Sequence, residues 1–390
     1  MNYLTNDNFK NLYKKAEFDR EHDEVKEMET RIESFVHEIS EYIGRKDPLF
    51  KNYVIPSGSY YEDLKVEGPD EFDFMMCLEA LSKPGVCVSK DIPFRDVLDP
   101  GYVDVQIIDK ASRRQWKDYI SRRENLKADV LLERFQNLIK EAVSKRKRLS
   151  QDKIAEPVEI ELRKIPVTIK VIWNGTKYSN YEISLDLTLC IKMSGWPAAS
   201  DICQRVDNGH PGYDLFQKAV RAGHHLVAST IGESGKHRPC WRLSFSIPEG
   251  IVLNGIFKNA ESASNAALKA LKVLRKKHES RLCLFEDDSD PDPLSSMSYR
   301  RITWAFHSYV LKTMFLHEWT EFPDDSDWTM DKLGIRMKGV LQRIRDSVVR
   351  KDIRSFWIPK YKLFNFRARK KTQTAYCVKN LSSLLEKIKI

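Results

Sequence analysis

Three carboxylates in two apolar stretches are the residues of this chain best suited to chemistry. Glu71 and Asp73 stand two positions apart in DEFDFMMCL, and Asp186 stands far along the chain in EISLDLTLC. Residues i and i+2 of a strand share a face, so Glu71 and Asp73 point to the same side. Buried carboxylates are costly without a partner, and Mg²⁺ prefers hard oxygen ligands. The three carboxylates therefore predict a site able to hold two metal ions.

Gly58-Ser59 forms a second motif close to the first two carboxylates. The pair follows the apolar stretch YVIPS, and Ser59 stands twelve positions before Glu71. Glycine has no Cβ, so the backbone amides of such a turn can approach a phosphate closely, and a serine hydroxyl can add a hydrogen bond. The pair is thus a candidate phosphate-binding turn.

Each motif alone also has a purely structural explanation. A Glu-x-Asp pattern occurs at solvated strand edges, Gly-Ser occurs in ordinary turns, and a lone Asp186 fits the polar face of any half-buried strand. Two observations favour the metal site. Glu71 and Asp73 lead directly into the apolar run FDFMMCL, and residues 181–190 alternate strictly between polar and apolar positions, as expected of a half-buried strand.

The sequences of these stretches closely resemble those of one protein family. The matching segments, in chain order, are GSYYEDLKVEGPDEFDFMMCLE, EISLDLTLC, GWPA, WRLSFS, HSYVLKTMF and DSDWTMDKLG. Together they resemble the cyclic GMP–AMP synthase and cGAS-like receptor family of nucleotidyltransferases, and the resemblance covers most of the chain.

The resemblance implies an α+β, bilobal nucleotidyltransferase fold. Residues 1–197 would form a mixed β-sheet catalytic lobe that includes a long N-terminal spine helix over residues 8–44. Residues 198–390 would form a mainly helical C-terminal lobe that completes the nucleotide pocket and the nucleic-acid surface. For residues 8–44, apolar residues at spacings of three and four predict the same single helix.

Hydrophobic patterning predicts the remaining elements. The Asn174-Gly175 pair predicts a hairpin turn between strands at 157–172 and 181–192. The alternation in WRLSFS places Arg242, Ser244 and Ser246 on one strand face. Helices are predicted over 111–147, 211–228, 261–279, 298–317, 330–350 and 374–388.

The resemblance also implies the residues around the nucleotides. Glu71, Asp73 and Asp186 would bind two Mg²⁺ ions, with Mn²⁺ as an alternative, and Gly58 and Ser59 would hold the triphosphate of ATP or GTP. The other implied nucleotide contacts are Arg242, Ser246, Lys269 (with Lys272 as a close alternative), Ser308 and Tyr309. Each of these five also has an ordinary structural explanation, as a strand-face, surface or core residue.

No structural zinc is expected. Vertebrate members of the family carry a zinc-binding insertion of one His and three Cys after the WRLSFS strand, but Pro248 to Lys277 contains neither residue type. The other candidates, His224, His225, His237 and Cys240, do not have the usual ligand spacing. Family members without the insertion typically respond to double-stranded RNA, so the resemblance favours that ligand over double-stranded DNA.

Composition and charge limit the location and the partners. Seven cysteines without a C-x-x-C pattern and the lack of an apolar run of about 20 residues predict reduced thiols and no membrane span. The expected location is cytoplasmic, with a nuclear location as the alternative. Residues 331–390 hold 17 Lys and Arg against 4 Asp and Glu, and residues 110–148 hold 13 against 5, whereas residues 17–29 are acidic. The two basic blocks suit a polyanion such as duplex RNA, although solvated helix faces are the alternative.

The expected function is therefore that of a nucleic-acid-activated synthase of a cyclic dinucleotide, such as cyclic GMP–AMP, that signals to a STING-type receptor. Oligomerisation on nucleic acid is left open. Two alternatives share the fold: a catalytically inactive interaction protein, and a linear oligonucleotide synthetase of the oligoadenylate type.

Overall fold

Two compact units make up the protein, which we describe from a computed structural model. The structure describes residues 4–92, 100–146, 159–161, 166–231, 238–258, 262–278, 308–363 and 371–388. The sheet unit comprises Asp19–Ala199 and Leu215–Asn254, and the helical unit comprises Met1–Phe18, Ser200–Asp214 and Gly255–Ile390. Both units include residues on either side of position 197, and the domain boundary at that position stays a prediction.

The described residues form nine strands and twelve α-helices. The strands are β1 (Asn52–Ser57), β2 (Glu71–Leu78), β3 (Cys87–Asp91), β4 (Tyr102–Ile107), β5 (Glu159–Glu161), β6 (Val167–Trp173), β7 (Tyr181–Met193), β8 (His224–Ile231) and β9 (Arg238–Ser244). The helices are α1 (Asn6–Ala16), α2 (Asp23–Lys46), α3 (Gly58–Tyr61), α4 (Lys110–Gln115), α5 (Ala128–Arg146), α6 (Ile202–Arg205), α7 (Tyr213–Arg221), α8 (Ser246–Ile256), α9 (Ser264–Lys277), α10 (Ser308–Glu321), α11 (Leu333–Val349) and α12 (Lys371–Lys387). The α+β class predicted from the sequence is confirmed. Within the described ranges, none of the helices combines the length and apolarity that crossing a bilayer requires.

All nine strands belong to one mixed sheet in the sheet unit. Its order is β1-β2-β7-β8-β9-β4-β3, with β6 paired to the first half of β7 and β5 paired to β6. The β2–β7 pair is parallel, and the other described pairs are antiparallel. β7 is the organising strand, since β2, β6 and β8 all pair with it. The predicted hairpin between β6 and β7 is confirmed, with the connection running through Asn174 and Gly175.

The single helix predicted over residues 8–44 is wrong. The structure has α1 in the helical unit and α2 in the sheet unit, with an interruption between Ala16 and Asp23. His22 caps α2 by accepting a hydrogen bond from the Glu24 backbone N–H at 3.2 Å. Asp23 and Glu24 occupy the first turn of α2, where negative charge interacts favourably with the helix dipole. The acidic residues 17–29, expected in the middle of one helix, therefore span the interruption and the start of a second helix.

Two other predicted helices are shorter than expected. The segment 111–147 contains α4, a 3₁₀ turn at Lys117–Tyr119 and α5, and Ile120 forms a bridge with Leu126 between the helices. The segment 211–228 ends as a helix at Arg221, and residues from His224 onward form β8 instead. In the second case Gly223, with φ of 76°, stops the helix, and the alternating residues that follow join the sheet.

The helical unit is held together by buried polar contacts as well as apolar ones. Glu318 on α10 is 3% exposed and binds Arg336 at 3.1 Å and Arg343 at 2.7 Å, both from α11. Such a buried carboxylate needs partners to offset its desolvation. Arg336 and Arg343 therefore have an internal structural role, which corrects the assignment of the whole basic block 331–390 to a nucleic-acid surface. Among the described side chains of that block, the exposed basic residues are Arg350, Lys351, Arg354, Lys360, Lys362 and Lys379.

Candidate active site

The parallel pairing of β2 with β7 brings the three predicted carboxylates together. Asp73 and Asp186 are direct partners in the ladder, and Glu71 lies two residues before Asp73 on the same face. One carboxylate oxygen from each of Glu71, Asp73 and Asp186 lies within 4.8 Å of the others. This arrangement matches the donor set that a hard divalent cation prefers.

Burial and mutual repulsion disfavour the charged state of this cluster. Burial, together with the charges of Glu71 and Asp186, raises the pKa of Asp73 from 3.8 to about 7. Burial also raises the pKa of Asp186, although the Thr168 hydroxyl opposes this by donating a hydrogen bond of 2.6 Å to Asp186 Oδ1. A cation placed among the three oxygens would relieve both the desolvation and the repulsion, so the cluster fits a metal site.

Lys65 is a site residue that the sequence did not indicate. Its ammonium lies 2.7 Å from Asp70 Oδ1 and 2.7 Å from Glu71 Oε2, and its side chain is 11% exposed. It therefore holds Glu71 in place and supplies one positive charge beside the cluster. Its position in the loop before β2 follows no helical or strand periodicity, so only the fold reveals the contact.

Gly58 occupies a position that no other residue could take without a shift of the site. Its φ is 78°, and a Cβ built on it would lie 1.9 Å from Asp73 Oδ2. The neighbouring Ser57 is the ladder partner of Asp73 across β1 and β2. The Gly58 backbone thus approaches a carboxylate closely, and half-buried Ser59 follows on α3. The predicted binding of a phosphate by this turn stays a prediction.

Helix α2 fixes the turn that follows β1. Tyr60 and Tyr61 of α3 donate hydrogen bonds of 3.0 Å to Glu29 and Glu33 of α2, respectively. The Tyr60 ring also packs on Phe72 of β2, with ring centroids 4.3 Å apart. The acidic residues in the middle of α2 thus position the Gly58 turn, which explains their presence in a protein expected to bind nucleic acid.

Arg242 and Ser246 lie in the sheet unit with the carboxylates. Arg242 is an exposed residue of β9. The prediction that Ser246 continues this strand is wrong, because β9 ends at Ser244 and Ser246 begins α8. The two serine hydroxyls lie 3.1 Å apart.

The other three predicted nucleotide contacts belong to the helical unit. Lys269 lies on α9 and is 8% exposed, and Ser308 and Tyr309 begin α10 with half-buried side chains. Their contribution to the nucleotide site stays a prediction.

Three of the four zinc candidates taken from the sequence lie on β8 and β9. His224 is buried, its Nδ1 donates to the Gly195 carbonyl at 3.2 Å, and burial lowers its pKa to about 4. His225 follows it and so faces the opposite side of β8. His237 lies outside the described residues, and Cys240 is a buried residue of β9.

Exposed basic side chains are concentrated in residues 110–145 of the sheet unit. Arg113 and Arg134 have carboxylate partners in Glu124 and Asp47. The basic residues of this segment that are exposed to solvent are Lys110, Arg114, Lys117, Arg122, Arg123, Lys140 and Lys145. Lys147 and Arg148, the end of the predicted basic block, lie outside the described residues.

Comparison with known proteins decides the family. The Mab-21 protein nucleotidyltransferase domain matches residues 60–255, half of the chain, and the Mab-21 protein HhH/H2TH-like domain matches residues 265–382. The chain belongs to the Mab-21 family. All three carboxylates lie inside the nucleotidyltransferase match, whereas Lys269, Ser308 and Tyr309 lie inside the second match.

Two curated relatives support the resemblance to cyclic GMP–AMP synthase. The chain is 25% identical to cyclic GMP-AMP synthase of Mus musculus over 353 residues, which is 88% of this chain and 62% of the relative. It is also 25% identical to cyclic GMP-AMP synthase of Sus scrofa over 322 residues, or 80% of this chain and 58% of the relative. The chain spans about three fifths of the length of these relatives. The cGAS-like family relationship predicted from the sequence is thereby confirmed.

Proposed function

We propose that this nucleotidyltransferase joins ATP and GTP into a cyclic dinucleotide such as cyclic GMP–AMP, and that duplex RNA activates it. The observation that carries the proposal is the meeting of Glu71, Asp73 and Asp186 within 4.8 Å on the paired strands β2 and β7. A catalytically inactive interaction protein would have no need for three carboxylates that repel one another in a buried setting.

The three carboxylates would hold two divalent cations, Mg²⁺ or Mn²⁺. When bound, such ions lower the pKa of an attacking ribose hydroxyl and stabilise the departing pyrophosphate. The chain's own residues prepare this arrangement. With its pKa raised to about 7, Asp73 is only partly ionised near neutral pH and would have to lose its remaining proton when a cation binds, while Thr168 fixes the orientation of Asp186.

Residues around the carboxylates would position the triphosphate. The absence of a Cβ at Gly58 leaves the backbone free to approach the phosphates, and the Ser59 hydroxyl can donate to a phosphate oxygen. Lys65 forms ion pairs with both Asp70 and Glu71 and so keeps Glu71 in place. In the proposed reaction, Arg242, Ser246, Lys269, Ser308 and Tyr309 contact the bases and phosphates, and two successive transfers at the one site close the ring.

Activation by double-stranded RNA is supported by the exposed basic side chains of residues 110–145. Contacts from Lys and Arg to phosphates read duplex shape rather than sequence. RNA is proposed over DNA because the chain lacks the His and Cys residues of the vertebrate zinc insertion. In a cell the product would act on a STING-type receptor, and the enzyme would work in the cytoplasm, with the nucleus as the alternative.

The test incubates the purified chain with all four nucleoside triphosphates and Mg²⁺, alone, with duplex RNA and with duplex DNA. We expect an RNA-dependent product that resists phosphatase, because a cyclic dinucleotide has no terminal phosphate. A phosphatase-sensitive ladder would instead indicate a linear oligonucleotide synthetase. No product under any condition would support the inactive interaction protein, and the Asp73→Asn variant controls for contaminating activity.

A further inference from the structure

A second group of metal-ligating side chains lies buried in the sheet unit, apart from the three carboxylates. It consists of Cys77 on β2, Cys190 on β7 and His225 on β8. The two cysteines are 0% exposed and the histidine is 2% exposed. One ligand atom from each residue lies within 4.8 Å of the other two.

Strand register explains why these three side chains meet. Cys77 and Cys190 are direct partners across the parallel β2–β7 pair. On the other side of β7, His225 is the ladder partner of Lys192, which lies two residues after Cys190. Because residues i and i+2 of a strand share a face, all three side chains point to the same side of the sheet.

The lack of hydrogen-bond partners for the His225 imidazole within the described part of the chain indicates that the three side chains bind a ligand. Neither ring nitrogen has a hydrogen-bond partner among the described residues, although the ring is almost completely buried, and one ring nitrogen lies within 4.8 Å of the Cys77 sulfur. A buried polar group left in this state costs about 1–3 kcal/mol and is uncommon in folded proteins. The adjacent His224, on the opposite face, bonds to a carbonyl through Nδ1, so that only its Nε2 lacks a partner in the described ranges.

We propose that Cys77, Cys190 and His225 bind one structural Zn²⁺ ion. Two sulfurs and one imidazole nitrogen are typical zinc ligands. Charge selects zinc over a monovalent soft metal: two thiolates, a neutral imidazole and Zn²⁺ sum to zero, whereas Cu⁺ would leave a net negative charge in a buried site. Uncompensated buried charge is strongly unfavourable.

Hydroxyl groups are available for the fourth tetrahedral position. Ser82 Oγ lies 3.2 Å from Cys77 Sγ and accepts a hydrogen bond from the Lys192 backbone N–H at 3.0 Å. Tyr53 is the ladder partner of Cys77 across β1 and β2. A neutral hydroxyl at the fourth position would leave the net charge of the site at zero, whereas the usual fourth ligand of a structural zinc site is a further Cys or His.

The zinc ion would fix the register that the carboxylate site depends on. Cys77 lies four residues after Asp73, and Cys190 lies four residues after Asp186, so both pairs share a face of the same two strands. At about 3.3 Å per residue the zinc lies about 13 Å from the carboxylates. The ion would therefore hold β2, β7 and β8 together and take no part in nucleotidyl transfer. This inference replaces the expectation of no structural zinc, which considered only residues close together in the sequence.

Elemental analysis of the full chain, purified without a metal-affinity tag, tests the proposal. We expect about one zinc per chain, and less than about a tenth of that in Cys77→Ser and in Cys190→Ser. Cys240→Ser is the matched control, since Cys240 is also a buried strand cysteine, and it should retain the zinc. Cobalt substituted for the zinc should show absorption from thiolate-to-cobalt charge transfer.

Three results would overturn the proposal: a zinc-free wild-type chain, a Cys77–Cys190 disulfide in the unreduced peptide map, or zinc retained in Cys77→Ser. If the serine variants fail to fold, zinc release from the wild-type chain still tests the assignment. A thiol-reactive mercurial should release zinc in step with the modification of Cys77 and Cys190, identified by peptide mapping. Release that follows modification of other cysteines would place the ion elsewhere and refute the assignment.

Discussion

Replacing Asp73 by Asn should stabilise the protein in the absence of divalent cations while abolishing nucleotidyl transfer. In the folded chain, burial and the charges of Glu71 and Asp186 raise the pKa of Asp73 to about 7, against an ordinary value of 3.8. The unfolded chain thus releases the proton near pH 4, whereas the folded chain keeps it until about pH 7. Stability associated with the protonated Asp73 is present at low pH and lost as the pH rises through this window.

The magnitude follows from the separation of the two pKa values. At about 1.4 kcal/mol per pH unit, a pKa raised from 3.8 to about 7 corresponds to about 4 kcal/mol of unfolding free energy at pH 8. Asn has no such penalty, although it loses some favourable contacts. We expect Asp73→Asn to be more stable than the wild type by roughly 2–4 kcal/mol at pH 8 and by less than about 1 kcal/mol at pH 4.

Urea unfolding at half-unit steps from pH 4 to pH 8, in buffer without Mg²⁺, measures this difference. Asp118→Asn is the matched control, because Asp118 is an exposed aspartate of the same unit, and its effect should not grow with pH. Adding Mg²⁺ should then stabilise the wild type and leave Asp73→Asn unchanged. A stability difference that stays constant with pH would refute the electrostatic account of the carboxylate cluster, and stabilisation of both proteins by Mg²⁺ would refute its role as the metal site.

The remaining predictions concern the turn, the third carboxylate and the basic surface. Gly58→Ala should abolish transfer and cost about 1–3 kcal/mol more than Gly85→Ala in urea unfolding, because both glycines have φ of 78° but only the Cβ at position 58 would meet Asp73; equal costs would remove the steric argument. Asp186→Asn should keep the fold, because an amide oxygen can still accept the bond from the Thr168 hydroxyl, and lose all product in the nucleotide assay; near-normal turnover in Mg²⁺ would exclude the carboxylate from the metal site. Replacing the four basic residues at 145–148 by Glu should weaken RNA-dependent synthesis and flatten its decline with salt, because fewer counterions are released from the RNA; RNA-independent, salt-insensitive activity in the wild type would contradict the sensor function.

Patterns that repeat along the chain were sufficient to predict the central strands. Strict alternation in residues 181–190 predicted β7, and the apolar run after Asp73 predicted a buried β2. The parallel pairing that sets Asp73 beside Asp186 has no local signature, and the sequence patterns grouped the three carboxylates without predicting that pairing. The error at residues 8–44 has the opposite cause. Between Ala16 and Val25 only Phe18 is apolar, so the periodicity stops there, and the cap at His22 and the acidic first turn of α2 show that a new helix begins.

Contacts made from irregular loops, or through the pairing of distant strands, follow no regular spacing in the sequence. Lys65 reaches Glu71 from an irregular loop, and Cys77, Cys190 and His225 come from three separate strands. One structural choice, the register of β2 against β7, places both Asp73 beside Asp186 and Cys77 beside Cys190. Because side chains alternate along a strand, a slip of one residue would turn β2's members of both pairs to the other face. The carboxylate site and the proposed zinc site thus depend on the same register, so a metal bound by the cysteines would stabilise the alignment that the carboxylates require.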